Sequence, residues 1–429
     1  MKMHHLGAGY PHPEVTDPRG FIEQKARYFA KLEAEEGIND SSVVPEYLRE
    51  SYSYGDTLGP ASTRRLFASV YGNDLGFAMK PECLVPTVGA TGGISLSLAV
   101  FERADGPLAY ITDAPTYAGF VARAELNQRA RLYSVAMDDE GPDPDALRAQ
   151  IHRARADGCF VPYYYTVPDG HNPAGFSFSA ERRRAIVEVV RDEGVLVLED
   201  APYLYISYAP AEERAPSFAA LAPEQTVHLF TGSKIGLPGP RIGYLYSEAT
   251  LEIRDGERVP LTTLVLTEAS GDLLFPNPEA YLGFEALLHD AALEPRTTLW
   301  DVAEEKLAVY RDNRSIMLAG LEAGLGAYRE RFSWTEPEAG FFVVFKCLDG
   351  SIVTNEAFVR RLATEYGVVA IPMAEFYPDD AQARAPGCGL NELRLSFCFN
   401  ESRGEQRRRD LAEAVAAFCE AIKREVGLR

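Results

Sequence analysis

Thr231-Gly232-Ser233-Lys234-Ile235-Gly236-Leu237-Pro238-Gly239-Pro240-Arg241 follows the apolar run Val227-His228-Leu229-Phe230 and leads into a second run, Ile242-Gly243-Tyr244-Leu245-Tyr246. Two short β-type runs joined by a Gly- and Pro-rich stretch read as strands with a loop between them. Lys234 then stands just beyond the end of the first strand. A lysine after Gly-Ser is by itself an ordinary surface residue, so its meaning depends on its neighbours along the chain.

The same texture extends upstream. Leu108-Ala109-Tyr110-Ile111-Thr112, Arg131-Leu132-Tyr133-Ser134-Val135, the aromatic run at 160–165 and Val195-Leu196-Val197-Leu198 are separated by longer helical stretches. Such alternation over residues 80–245 indicates βαβ units around a mostly parallel sheet. The run at 195–198 is apolar throughout, as in a strand covered on both faces. A helix is expected at 179–193, capped by Ser179 and with Arg182, Arg183 and Arg184 on its solvated side. Val85-Pro86-Thr87-Val88-Gly89 reads as a strand and glycine turn, with a helix opening near Gly92.

Beyond about residue 295 the pattern changes. A long helix is expected at 297–325, with Leu299, Ala303, Leu307, Tyr310 and Ile316 on its apolar stripe. Strand-like runs at 341–345, 368–371 and 393–397, a helix at 355–366 and a terminal helix complete an α+β unit. A chain of 429 residues exceeds one compact core. The expected division is a large domain at 46–295 and a smaller one made of 1–45 and 296–429.

Lys and Arg number 43 against 63 Asp and Glu, a formal charge of −20. That balance argues against nucleic-acid binding or attraction to anionic membranes, which need clustered positive charge. No stretch reaches the ~20 apolar residues of a membrane span. The six cysteines form no C-x-x-C pair and read as reduced, mostly core-filling thiols. His4, His5 and His12 read as surface residues, and no metal is assigned. With no basic-then-apolar leader pattern, a cytoplasmic location is expected.

Candidate chemistry collects at strand ends, where an α/β sheet opens toward ligands. Asp200 closes the strand at 195–198 and precedes Tyr203. Asn172-Pro173-Ala174-Gly175 follows the strand ending near Tyr165. Gly89-Ala90-Thr91-Gly92 turns into a helix whose N-terminus suits a phosphate. Pro115-Thr116-Tyr117 follows the strand at Tyr110, and Arg241 lies shortly after Lys234. Pyridoxal 5′-phosphate (PLP) needs such a set: a lysine amine, a carboxylate for its ring nitrogen, donors for its phenolic oxygen, N–H groups and a cation for its phosphate, and a stacking ring.

These segments carry a family resemblance. Tyr165 to Gly175 (Y-T-V-P-D-G-H-N-P-A-G) resembles the N-P-x-G signature of class I/II, fold-type I PLP-dependent aminotransferases. Leu198-Glu199-Asp200-Ala201-Pro202-Tyr203 resembles their strand-D-x-x-Y element. Ser233 to Gly243 resembles their S-K-x-x-x-P-G-x-R-x-G block. The wording S-K-x-G-L-P-G-x-R is closest to the valine–pyruvate aminotransferase branch. The resemblance implies a fold-type I architecture: a large domain with a mostly parallel seven-stranded sheet sandwiched by helices, plus a smaller α+β domain.

It also implies roles. Lys234 would hold PLP as a Schiff base and carry the Cα proton, and Asp200 would pair with the pyridine nitrogen. Asn172 and Tyr203 would bond the phenolic oxygen, and Tyr117 would stack on the ring. Ala90, Thr91, Thr231, Ser233 and Arg241 would hold the phosphate. Arg394, in Leu393-Arg394-Leu395-Ser396-Phe397, would clamp the substrate carboxylate, an internal salt bridge being the rival reading. Tyr54 matches a tyrosine that reaches the neighbouring subunit's phosphate, which implies a homodimer with shared active sites.

The implied reaction is amino transfer between an α-amino acid and a 2-oxo acid. The same Cα carbanion also supports β- or γ-elimination, replacement, oxidation or cyclisation, and cofactor-binding residues do not separate these outcomes. Several features depart from the family pattern: Thr231 stands where many relatives have serine, Ala90 offers only a backbone donor, and His171 precedes Asn172 at a variable position. Thr63 stands where leucine is usual, and residues 255–278 match nothing assignable.

Overall fold

The apolar runs become one large mixed sheet. Its strands are β1 (Leu84–Val88), β2 (Leu108–Ala114), β3 (Ala130–Asp138), β4 (Gly141–Pro142), β5 (Phe160–Thr166), β6 (Leu196–Asp200), β7 (Thr226–Thr231) and β8 (Ile242–Tyr246). Their spatial order is β1-β8-β7-β6-β5-β2-β3-β4. Strands β7, β6, β5, β2 and β3 run parallel, and β8 is antiparallel to both of its neighbours. Seven strands correspond to the expected sheet; β4 is a short hairpin return at its edge. The structure is a computed structural model that describes residues 2–38, 40, 42–102, 105–253, 256–398 and 400–428.

Both faces of the sheet are covered, which is why β6 (Leu-Val-Leu-Glu-Asp) is buried along its whole length. Ile151, Ile186, Val190 and Phe218 pack on one face, while Ile94 and Leu98 of the helix Gly89–Glu102 belong to the core on the other. The helix Ala180–Glu193 starts where Ser179 accepts the Arg182 amide at 3.1 Å, and it ends at Gly194 in the left-handed region. One expectation for this helix is corrected. Arg183 is fully buried rather than solvated, donating to Asp169 at 2.6 Å and to the Pro168 carbonyl at 3.0 Å.

A second sheet follows the long helix Trp300–Leu325. Its strands β9 (Phe332–Trp334), β10 (Phe342–Cys347), β11 (Ile371–Pro372) and β12 (Glu392–Ser396) are antiparallel in the order β9-β10-β12-β11. The expected run at 368–371 divides. Val368–Val369 pairs in parallel with His4–His5, whereas Ile371 pairs with Arg394. The buried stripe of the long helix continues from Tyr310 through Asn313, Met317 and Leu321, leaving Ile316 half-buried beside it. His12 is likewise not a surface residue: it is buried, with Nε2 3.2 Å from Asn400 Oδ1. Four of the six cysteines are buried and all are free thiols. Among the described residues no helix is long and apolar enough to cross a membrane, and no cluster suits a metal ion.

Thr63 and the 255–278 segment each have a structural place. Within 255–278, described from residue 256, Arg258–Pro260 pairs with Thr250–Glu252, and the helix Leu261–Asp272 packs on the helix Gly89–Glu102. Thr63 donates to the buried Glu285 carboxylate at 2.5 Å, alongside Ser62 at 2.8 Å and Tyr28 at 2.7 Å. Three hydroxyl donors satisfy a carboxylate that has no Lys or Arg partner among the described residues. Thr63→Val, which removes one donor at nearly constant volume, is expected to cost about 1–2 kcal/mol. Denaturant unfolding at neutral pH checks this, and an unchanged midpoint would contradict it.

Candidate active site

Parallel strands place their C-terminal ends along one edge, and the loops after β2, β5, β6 and β7 converge there. Asp200 is the last residue of β6 and is buried. Its Oδ2 accepts the Tyr165 hydroxyl at 3.0 Å, while Oδ1 is buried with no hydrogen-bond partner. Burial pushes the carboxyl up to about 6, against the opposing Tyr165 hydrogen bond and the charges of His228 and Lys234.

Lys234 leaves the loop after β7 and donates to the Gly9 carbonyl at 3.2 Å, with Nζ 5.7 Å from the Phe341 ring centroid. Burial lowers its pKa, and the nearby Arg241 charge lowers it further. A lysine disposed to lose its proton, close to a buried carboxylate, suits nucleophilic attachment to an aldehyde and later proton transfer.

Next to it lies a cup of donors. Arg241 Nη1 donates to Ser233 Oγ at 2.9 Å, Thr231 Oγ1 donates to Ser233 Oγ at 3.0 Å, and the Ser233 amide donates to Thr231 Oγ1 at 3.2 Å. Gly89, with φ +65°, opens the helix that presents Ala90 and Thr91. A Cβ at Gly89 would stand 2.5 Å from Arg241 Nη2, so glycine is required for the guanidinium to lie there. Among the described residues Arg241 has no carboxylate partner. A helix N-terminus, two hydroxyls and an unpaired guanidinium together form an anion site.

Tyr117 links the cup to Asp200. Burial and the Asp200 charge raise its pKa, while the Thr91 hydrogen bond and the Arg241 charge oppose them. Tyr203 packs edge-on against Phe341 and Phe342, with centroids 5.2 and 6.0 Å away.

Arg394 closes the enclosure from β12. It is buried between the rings of Phe342 and Phe376, at 4.3 and 4.8 Å, and donates to Asn172 Oδ1 at 2.8 Å and to the Gly7 carbonyl at 2.8 Å. No carboxylate pairs with it among the described residues, and Nε has no partner. A guanidinium can only donate, so Asn172 must offer Oδ1 to it and keep its amide N–H groups for another acceptor.

Lys234, Asp200, Asn172, Tyr203, Tyr117, Thr231, Ser233, Arg241, Ala90, Thr91 and Arg394 thus lie around one enclosure. Tyr54 does not join it: the residue is 88% exposed and edge-on to Phe275 at 5.7 Å. Several contributors were absent from the sequence reading. Tyr165 holds Asp200 and is itself stacked on Phe120 at 3.8 Å. The Gly7 and Gly9 carbonyls cap Arg394 and Lys234, and Phe341, Phe342 and Phe376 supply apolar walls. Strand alternation signals Tyr165, because Tyr163 and Tyr165 share one face of β5 and Tyr164 takes the other.

Comparison with known proteins identifies the family. The model of the family described as aminotransferase class I and II matches residues 48–402. The chain is 29% identical to (S)-3,5-dihydroxyphenylglycine transaminase of Amycolatopsis orientalis, over 91% of this chain and 83% of that protein. It is 27% identical to 2-aminoadipate transaminase of Thermus thermophilus, over 92% and 87%. An archaeal alanine:glyoxylate aminotransferase structure superposes with TM-score 0.77 at 25% identity, covering 99% of this chain and 91% of that one. The fold is also that of the α-aminoadipate aminotransferase of Thermus thermophilus complexed with N-(5′-phosphopyridoxyl)-L-leucine, with TM-score 0.74, 24% identity and coverage of 99% and 93%. A family match over most of the chain, on this fold and with this set of donors, makes the protein a member of the class I and II aminotransferases, PLP-dependent enzymes that pass an amino group between an α-amino acid and a 2-oxo acid.

Proposed function

We propose that Lys234 attaches to the cofactor aldehyde and then moves the substrate's Cα proton, with Arg394 holding the α-carboxylate. The observation that carries this reading is the orphaned Asp200 Oδ1, a buried carboxylate oxygen with no hydrogen-bond partner, which suits a cationic ring N–H. Bound PLP supplies an aldehyde that takes up the amino group and a ring that accepts electron density from Cα. Asp200 keeps the ring nitrogen protonated, and Tyr165 fixes the carboxylate's orientation. Asn172, through its free amide N–H, and Tyr203 donate to the phenolic oxygen. Tyr117, beside Asp200 and Arg241, would stack on the ring. The Ala90 and Thr91 amides, with Thr231, Ser233 and Arg241, hold the phosphate. Lys234 would hold the cofactor aldehyde through its amine and, once free, would serve as the base that takes the proton from Cα and returns it.

The aromatic walls around Arg394 favour a substrate with an apolar or aromatic side chain over an acidic one. The relatives' names divide, one for dihydroxyphenylglycine and one for the acidic 2-aminoadipate, so the preference rests on the aromatic walls. We read residues 46–295 as the large domain and 1–45 with 296–429 as the small one, in a cytoplasmic homodimer. Exposed Val88 and Leu273 near Thr91 and Arg241, with exposed Leu274 next in the chain, suit a partner subunit, as does the loop of Tyr54, tied to Leu274 by Thr57 donating to its carbonyl at 2.6 Å. Tyr54 then serves the partner's phosphate.

Adding single amino acids to the holoenzyme and following cofactor absorbance tests the reaction. An aromatic amino acid is expected to convert the cofactor to its pyridoxamine form at lower concentration than 2-aminoadipate, and a 2-oxo acid is expected to reverse the change. Ammonia release without the pyridoxamine form would contradict amino transfer, and a preference for the acidic substrate would contradict the pocket reading.

Asp200 gives a second test, on cofactor-free protein. Its folded pKa lies above the unfolded value, so the group's stabilising contribution is complete below the unfolded pKa and is lost as pH rises through about 6. Asp200→Asn apoprotein should therefore gain Tm relative to the native apoprotein as pH goes from about 4 to about 7. A constant difference would show that the carboxylate is not held under strain for a partner.

A further inference from the structure

We propose that the buried Asp113–His171 pair is a positioning device that fixes Asn172, and through it Arg394. This rests on the roles given to those two residues above. Asp113, next to last in β2, has no exposed surface. Tyr164 donates to its Oδ1 at 2.6 Å, Thr166 donates to its Oδ2 at 2.7 Å, and His171 Nε2 lies 3.3 Å from Oδ2. His171 is its one basic partner among the described residues.

The tautomer follows from the backbone. The Ala174 amide donates to His171 Nδ1 at 3.3 Å, so Nδ1 carries no proton and Nε2 is the nitrogen that donates to Asp113. The ring lies nearly parallel to those of Phe176 and Phe178, with centroids 6.0 and 6.1 Å away. The main chain folds around it: the His171 amide donates to the Phe176 carbonyl at 2.7 Å, and the Gly175 amide donates to the His171 carbonyl at 2.6 Å. Gly175, with φ +77°, closes this loop onto the second sheet, where a Cβ would stand 2.4 Å from the Phe342 carbonyl oxygen. Asn172 is thus bound on both sides and has little freedom to retreat from Arg394.

Asp113 also stands at the root of the loop that carries Tyr117. In that loop Thr112 and Thr116 hydroxyls bond at 2.7 Å, and the Thr116 amide donates to the carbonyl of Phe376, a ring neighbour of Arg394. One carboxylate, oriented by three donors, therefore sets two loops that face the same enclosure. Groups that orient a reacting or binding residue change binding geometry without touching the ligand.

Three variants test this: His171→Leu, His171→Gln (which keeps an N–H donor toward Asp113) and Asp113→Asn. Two readouts serve: KM and kcat for the amino acid, and the pH at which the visible band of the protein-bound cofactor titrates. His171→Leu and Asp113→Asn are expected to raise KM about tenfold with a smaller change in kcat. They should also shift the band midpoint by roughly half a unit or more, because Asn172 no longer donates to the phenolic oxygen as before. His171→Gln should restore most of both. If His171→Leu does not fold, the near-isosteric Asp113→Asn carries the test. A lowered Tm with KM and midpoint unchanged would reduce the pair to a core element and overturn the proposal, as would equal defects in the Gln and Leu variants. Asn172→Ala separates the two readings. If it too leaves KM and midpoint unchanged, the role given to Asn172 has failed; if it alters both while the His171 and Asp113 variants do not, only the present inference has.

Discussion

A buried carboxylate oxygen without a partner sets the terms for this site. Asp200 Oδ1 sits at the end of a strand covered on both faces, where an unpaired polar atom costs roughly 1–3 kcal/mol or more. Arg394 and Arg241 are in a related position, since neither has a carboxylate partner among the described residues. In the proposed function each group would meet its missing partner in a small molecule: a ring N–H for Asp200, an α-carboxylate for Arg394, a phosphate for Arg241. The enclosure therefore carries its charges in advance and gives up folding stability for binding, as preorganised sites do.

The fold makes this possible by dividing the work between two sheets. The parallel sheet delivers Asp200, Lys234, Asn172 and Tyr117 to one edge, because β6, β7, β5 and β2 all end there. The antiparallel sheet brings Arg394 and the aromatic walls from the far part of the chain. The Arg394–Asn172 hydrogen bond joins the two, and the carbonyls of Gly7 and Gly9 tie the N-terminal segment to both cations. Lys234 and Arg394 are thus restrained by backbone groups that a bound substrate can replace.

The strand-end residues were legible because parallel strands force their C-terminal loops together, so order along the chain becomes proximity in space. Arg394 was legible for a different reason. A guanidinium on an apolar strand needs a partner, and the two readings were a salt bridge or a ligand; among the described residues no internal carboxylate supplies the bridge. Arg183 and His12 escaped because their partners, Asp169 with the Pro168 carbonyl and Asn400, are reached through tertiary packing rather than helical or strand periodicity. The helix Leu261–Asp272 was obscured by its composition. Its threonines, Val265 and Gly271 carry weak helix preference, and packing against the helix Gly89–Glu102 decides its state. Tyr54 points to solvent in a single chain, and its reading depends on a second copy.

Lys234 is the lysine proposed to carry the cofactor, and its chemistry makes that directly measurable. Borohydride reduction of the holoenzyme followed by peptide mapping is expected to place a single phosphopyridoxyl group on the peptide containing Ser233-Lys234-Ile235. A reduced adduct on any other lysine, with Lys234 unmodified, would contradict the account.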